Sequence, residues 1–264
     1  MKLSTILTAA VAGLMMLCTA SASANPGLIE QADSAYINDD FAVARDLYEQ
    51  AIDSLGTSAT LYYNLGNTYY RLGNNGMAIV CYERALRLDP TNQDVKTNLE
   101  FVNSRITDKV GNSGSFLSNT FDRIVCLAHS NTWSNIGLTS FFLLLGSIAL
   151  YIFSNNVKLR KIGFFGGILL AILTAAAIIL ALDGATKAVT HNTAIVTDPS
   201  TILSTSPRTP KDRSEEAFLL HEGTKVTILD SVTSAIDSTR TKWYEVSVDN
   251  THRAWISSKA IERI

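Results

Sequence analysis

Residues 59–90 read ATLYYNLGNTYYRLGNNGMAIVCYERALRLDP, and this stretch decides the fold. Gly66 sits with Leu65 and Tyr69, and Ala78, Tyr82 and Ala85 follow at i, i+4 and i+7. Residues spaced this way share one face of a helix. Small side chains on that face let a second helix approach closely, and the tyrosine fills the space beside them. Gly73-Asn74-Asn75-Gly76 supplies a turn between two helices. Asp89-Pro90 closes the unit, because proline disfavours helical geometry in the residue before it. The prediction is a helix-turn-helix unit that packs against copies of itself.

Such a copy precedes it. Ala44, Tyr48 and Ala51 stand 34 residues before Ala78, Tyr82 and Ala85, and a fixed period of this length marks a repeat array. The earlier unit, about residues 27–57, is weaker: Leu28, Ala32 and Ala35 line its leading helix, but Gln31 takes the place of Leu65. A third helix is expected over Asn92–Val110, capped at Thr91/Asn92 and carrying Val95, Leu99, Val102 and Ile106 as one apolar stripe. An all-α solenoid of about two repeats plus a capping helix, residues 25–110, is short. Arrays generally need about three units, so either the cap suffices or a neighbour covers an end.

Three further segments are apolar. Lys2, the run Ile6–Leu17 and Ala20-Ser21-Ala22-Ser23-Ala24 have the order of a secretory signal, residues 1–24. Cys18 raises a lipoprotein alternative, but Leu17 stands where a small residue is wanted. Ile136–Phe153 and Ile162–Leu182 give 18 and 21 residues without a charge. About 20 residues at 1.5 Å each cross the hydrocarbon core, so two transmembrane helices are expected, over 133–154 and 162–183. The alternative, a buried hairpin in a soluble domain, needs a larger core than this chain can build. Between the spans, SNNVKLRK carries Lys158, Arg160 and Lys161 and no acid. Short basic loops stay cytoplasmic, so the loop 155–161 faces inward and both flanking segments face the periplasm. A cleaved signal independently gives the same orientation. Trp133 and Tyr151 lie near the span ends, where amphipathic rings favour the interface.

Between array and spans, residues 111–132 form a linker whose Phe116, Leu117, Phe121, Ile124, Val125, Leu127 and Ala128 outline an amphipathic stretch. It lies on the membrane surface or packs beneath the repeats. Beyond the spans, residues 190–264 change character. Ala194–Val196, Lys225–Leu229, Trp243–Val248 and Ala254–Ile256 are short β-type runs separated by turns such as Glu222-Gly223 and Asp249-Asn250. About five short strands predict a small all-β barrel, with the Ser/Thr/Pro-rich stretch Thr197–Glu216 as a long mobile loop.

Charge and composition exclude several functions. The chain is 47% hydrophobic and 17% charged with net charge −2, and no basic patch serves nucleic acid. His129, His191, His221 and His252 are scattered, with none in a metal-ligand spacing. No catalytic residue, cofactor or metal ligand is expected. Cys81 and Cys126 remain after signal removal; a disulfide is possible in an oxidising compartment, and two free or buried thiols are the preferred reading. Neither span holds an ionisable residue, which disfavours a channel or transporter. Gly163 and Gly167 allow the spans to pack closely. The candidate binding surface is the outward stripe of the second unit's first helix: Thr60, Tyr63, Asn67, Tyr70 and Arg71. The tyrosines offer stacking area, while Asn67 and Arg71 hold a backbone or carboxylate. The alternative is a solvated helix face.

Residues Tyr62, Leu65, Gly66, Tyr69, Gly73, Ala78, Tyr82, Ala85 and Pro90 together resemble the tetratricopeptide repeat (TPR) family. Phe218–Val226, Trp243-Tyr244-Glu245-Val246 and Ala254-Trp255-Ile256-Ser257 resemble the bacterial SH3 (SH3b) family. The likeness departs at Leu203-Ser204-Thr205-Ser206-Pro207, where that family has an arginine-serine-glycine turn. The order signal, TPR, two spans, SH3b is similar to the E-type family of the Bat aerotolerance operon (BatE). That family sits beside von Willebrand factor A-type membrane proteins and a MoxR-type ATPase. The resemblance implies a non-enzymatic scaffold in a cell-envelope complex linked to oxidative-stress tolerance, with other membrane or periplasmic proteins as partners. The alternative it carries is a membrane protein gripping peptidoglycan through SH3b. A sensor passing signals inward lacks an output domain in the short cytoplasmic loop.

Overall fold

The computed structural model describes residues 26–108, 116–233, 241–249 and 251–264. The signal expected over 1–24 lies outside the described residues. The chain divides into two compact units, one ending at Thr57 and one running from Ser58 to Ile264.

In the first unit, α1 (Pro26–Ile37) and α2 (Phe41–Leu55) pack as a helical pair. Ala32, Ala44, Tyr48 and Ala51 are buried, as the small–aromatic–small spacing requires. The Tyr48 hydroxyl donates to Asp33 Oδ1 at 2.5 Å.

The second unit begins with α3 (Ala59–Arg71), whose first turn is capped by the Ser58 hydroxyl accepting the Leu61 N–H. The chain reverses through Gly73, at a φ of +79° that glycine adopts without penalty. Helix α4 (Asn75–Leu88) then starts under an Asn74 cap. The α3–α4 contact depends on Gly66: a Cβ there would lie 2.7 Å from the Tyr82 ring and 3.2 Å from the Cys81 Cβ. The Tyr82 hydroxyl donates to Asn67 Oδ1 at 2.7 Å. This bond stands 34 residues after the one between Tyr48 and Asp33, so the repeat extends from side-chain size to hydrogen bonding.

Helix α5 (Gln93–Asn103) buries Val95, Leu99 and Val102. It ends earlier than the expected Val110, which itself lies outside the described residues. The chain leaves helical geometry because its next residues bind elsewhere. Asp108 accepts the His221 backbone N–H at 2.6 Å and the Thr224 hydroxyl at 2.8 Å. Ile106 packs on Gly223, where a Cβ would come within 2.5 Å.

Helix α6 (Phe116–Val125) leads to α7 (Ser130–Phe153) and α8 (Val157–Val189). Among the described linker residues, Val125 is buried against Gly184, while Phe121, Ile124 and Leu127 stay exposed. The two long helices are apolar and long enough to cross a membrane, and little of either is covered by protein. The expected loop 155–161 is shorter than the sequence indicated. Asn156 caps the Lys158 N–H, so Lys158, Arg160 and Lys161 lie within the first turns of α8. Helix α8 also runs past residue 183 to Val189. A seam of small and hydroxylated residues joins the hairpin. Ser140 and Thr174 hydrogen-bond at 2.9 Å, and Ser147 donates to the Gly163 carbonyl at 2.7 Å.

Seven strands follow: β1 (Thr193–Val196), β2 (Ser200–Ser204), β3 (Glu216–His221), β4 (Lys225–Thr233), β5 (Lys242–Ser247), β6 (Arg253–Ser257) and β7 (Ile261–Arg263). They pair antiparallel in the order β3-β2-β6-β5-β4-β1-β7. The expected barrel is therefore seen as an antiparallel sheet whose end strands, β3 and β7, are not paired with each other. The segment Thr197–Glu216, expected as one long loop, contains β2. Val196, Leu203, Leu220, Val226, Val246, Ile256 and Ile261 fill one core, supplied by all seven strands.

This sheet packs directly on α4. A Cβ on Gly76 would lie 3.0 Å from the Val196 carbonyl oxygen. Arg84 pairs with Glu262 at 2.5 Å, and Lys225 with Glu83 at 2.7 Å. Exposed ion pairs of this kind contribute only about 0–1 kcal/mol each, so close apolar contact carries more of the docking. Helix α4 accordingly buries Gly76, Ala78, Ile79, Val80, Cys81, Tyr82 and Ala85, residues on more than one face.

Candidate functional site

Because α4 is covered by the sheet, the stripe on α3 is positioned by α3 and α5. Its spacing of three and four residues sets Tyr63, Asn67 and Tyr70 along one side of α3, turned toward α5. Asn98 of α5 donates to Asn67 Oδ1 at 2.9 Å and to the Tyr63 hydroxyl at 3.3 Å. Tyr70 meets the Phe101 ring edge-on with centroids 5.6 Å apart. Arg105 donates to the Tyr70 hydroxyl at 2.9 Å while its guanidinium lies 4.2 Å over the Phe101 ring. The stacked guanidinium and rings form a short aromatic-cationic ladder.

Three of the five sequence-derived residues are thus brought together and half-buried. Thr60 and Arg71 lie exposed at opposite ends of α3. Asn98, Phe101 and Arg105 complete the face, and sequence reasoning missed them. Their signal was present: Asn98 and Phe101 stand three residues apart on α5, offset from the buried stripe Val95, Leu99 and Val102, and Arg105 follows four residues on, just past the helix end.

Asn67 is the pivot. Its Oδ1 receives two hydrogen bonds, from Tyr82 and Asn98, which orients its amide. Among the described residues its Nδ2 has no partner, so two N–H donors remain for an incoming carbonyl. Tyr63, Tyr70 and Phe101 supply aromatic surface beside it. Such a face suits an extended peptide, with a carbonyl to accept from Asn67 and apolar side chains to lie on the rings.

Elsewhere the structure separates what the sequence left apart. Cys81 is buried and Cys126 half-buried, and neither is joined in a disulfide. Among the described residues no three His, Cys, Asp or Glu side chains gather in a metal-sized cluster.

The tetratricopeptide repeat family model matches residues 59–92, the unit built from α3 and α4. The chain therefore carries a tetratricopeptide repeat, a module that generally serves protein–protein interaction. The Protein SGT1 homolog of Oryza sativa subsp. japonica is 36% identical over 75 residues, which are 28% of this chain and 20% of that protein. The chain thus spans about a fifth of that relative's length.

Proposed function

We propose that this protein is a non-catalytic scaffold of a bacterial inner membrane. Its repeats and its C-terminal sheet, an SH3b-like module, stand on the periplasmic side and gather partner proteins. The observation that carries this reading is the α3–α5 face. It is a repeat surface with an oriented amide and three aromatic rings, in a chain that also holds two helices able to span a bilayer. The signal-like order of residues 1–24 and the basic first turns of α8, with Lys158, Arg160 and Lys161, support the orientation. The order of modules supports membership of a Bat-type envelope complex concerned with oxidative stress, with other membrane or periplasmic proteins as partners. No cofactor enters this function.

Photo-crosslinking from Tyr70, replaced by a photoreactive residue in intact cells, tests it. A discrete adduct with an envelope protein is expected, reduced severalfold by Asn67→Ala. Absence of any protein adduct from Tyr70 and from Thr60 would contradict the reading.

Peptidoglycan is the second reading, and one observation favours it. Trp243 is buried, among the described residues its Nε1 has no hydrogen-bond partner, and it borders a cavity of about 330 Å³ with Thr201, Ser257 and Lys259. A buried indole donor lacking an acceptor invites a ligand carbonyl. Retention of the full chain on purified sacculi, lost in Trp243→Phe, would favour this reading over the protein scaffold.

A further inference from the structure

The end of α4, helix α6 and the sheet-proximal ends of α7 and α8 enclose a cavity of about 570 Å³, a size usual for small-molecule sites. Leu86, Leu88, Val125 and Ala188 give it apolar walls, and Arg87, Lys187 and Lys225 bring cations to it. Its depth follows from α8. Lys187 lies five residues beyond Leu182, the end of the uncharged run, which at 1.5 Å per residue is about 7.5 Å. The headgroup layer beside the hydrocarbon core is about 5–7.5 Å thick. Trp133, near the start of α7, donates its indole N–H to the Val125 carbonyl at 3.2 Å, at the same level of the hairpin.

Most charges around the cavity are already answered. Lys225 pairs with Glu83 at 2.7 Å, and Lys187 with Asp122 at 2.5 Å and Asp183 at 2.8 Å. His129 faces Asp89 at 3.4 Å. Arg87 differs: among the described residues its side chain meets the His191 ring rather than a carboxylate at ion-pair distance. Burial and the neighbouring Arg84 work against its charge, and Glu83 only partly offsets them. One guanidinium is left seeking an anion, in a pocket with apolar walls at headgroup depth.

We propose that this cavity binds the phosphodiester headgroup of an anionic membrane lipid, with Arg87 receiving the phosphate. The planar guanidinium matches phosphate oxygens in a two-pronged contact. The single negative charge of a phosphodiester equals the single cation without a carboxylate partner. The apolar walls then accommodate the glycerol backbone and the first carbons of the acyl chains. The inference rests on the membrane placement proposed above.

Cys126 borders the cavity and serves as its reporter, and buried Cys81 is the internal reference. The full chain is reconstituted into vesicles of phosphatidylcholine, alone or with phosphatidylglycerol. Alkylation of each cysteine by N-ethylmaleimide is then followed by peptide mass spectrometry. Phosphatidylglycerol is expected to slow Cys126 labelling about fivefold, roughly what one basic side chain contributes at an anionic surface. Arg87→Gln abolishes that protection, and Arg87→Lys keeps most of it. Equal labelling in both vesicle types, with the chain resistant to carbonate extraction, overturns the lipid site and leaves the membrane placement standing. A chain released by carbonate overturns the placement and the site together. Equal slowing by inorganic phosphate in phosphatidylcholine vesicles assigns the cavity to a soluble anion and overturns the lipid assignment.

Discussion

Gly66 has room for a hydrogen and little else. The Tyr82 ring it faces is itself buried and hydrogen-bonded, so the ring cannot swing aside. Gly66→Leu is therefore expected to destabilise the unit by ~2–3 kcal/mol, the upper range for overpacking, as a lower thermal midpoint of the purified chain. Tyr82→Phe is milder. Asn67 Oδ1 keeps the Asn98 bond, and about 1 kcal/mol is lost with one neutral hydrogen bond. Asp108 adds a pH dependence. Burial raises its pKa, but hydrogen bonds from the His221 backbone, the His221 ring and Thr224 outweigh it and hold the carboxyl below its ordinary value. A depressed carboxylate stabilises the fold fully above its unfolded pKa, about 3.9, and that contribution is lost as pH falls through the lower folded value. Stability is expected to drop below about pH 4, and Asp108→Asn should flatten that limb in acid titrations followed by circular dichroism. At this scale Gly66 and Tyr82 were legible, because side-chain size at helical spacing is written in one dimension. Asn98, Phe101 and Arg105 were not read, since the apolar stripe drew the whole interpretation of α5.

Among the elements, the two long helices were the easiest to read, because length and absence of charge suffice. Their packing was legible in part. Gly163 lets α8 approach α7 until a Cβ would sit 2.9 Å from the Ser147 carbonyl oxygen and the Tyr151 nitrogen. Backbone atoms cannot move aside as side chains do, so Gly163→Leu is expected to force the hairpin apart and lower its melting temperature in detergent. Ser140→Ala removes one interhelical bond and should cost only about 0.6 kcal/mol, the usual value within membranes. A larger loss for Ser140→Ala than for Gly163→Leu would show that polar contacts, not close approach, hold the seam. Strands β1, β4, β5 and β6 were legible as short β-type runs, but β2 and β7, and the order β3-β2-β6-β5-β4-β1-β7, were not, because pairing is decided between distant residues. The all-β segment is seen as an antiparallel sheet with unpaired end strands, and closure into a barrel is not shown.

In the larger unit, the sheet rests on the repeat, and this was missed although a trace of it existed. Ile79, Val80 and Cys81 are consecutive and apolar, and a helix apolar beyond one stripe is buried beyond one stripe. Gly76→Leu would drive a side chain into the Val196 and Thr197 backbone. Faster limited proteolysis within residues 190–264 is expected, with the α3–α4 core left intact. This docking gives the modules a common fate: in the membrane placement proposed above, the side that holds the repeat also holds the sheet. The scaffold account stands or falls on which side that is. Paired fusions after Ile264, one to a phosphatase active only outside the cytosol and one to a fluorescent protein that folds only within it, measure this directly. The account predicts phosphatase activity without fluorescence; fluorescence without phosphatase activity would contradict it.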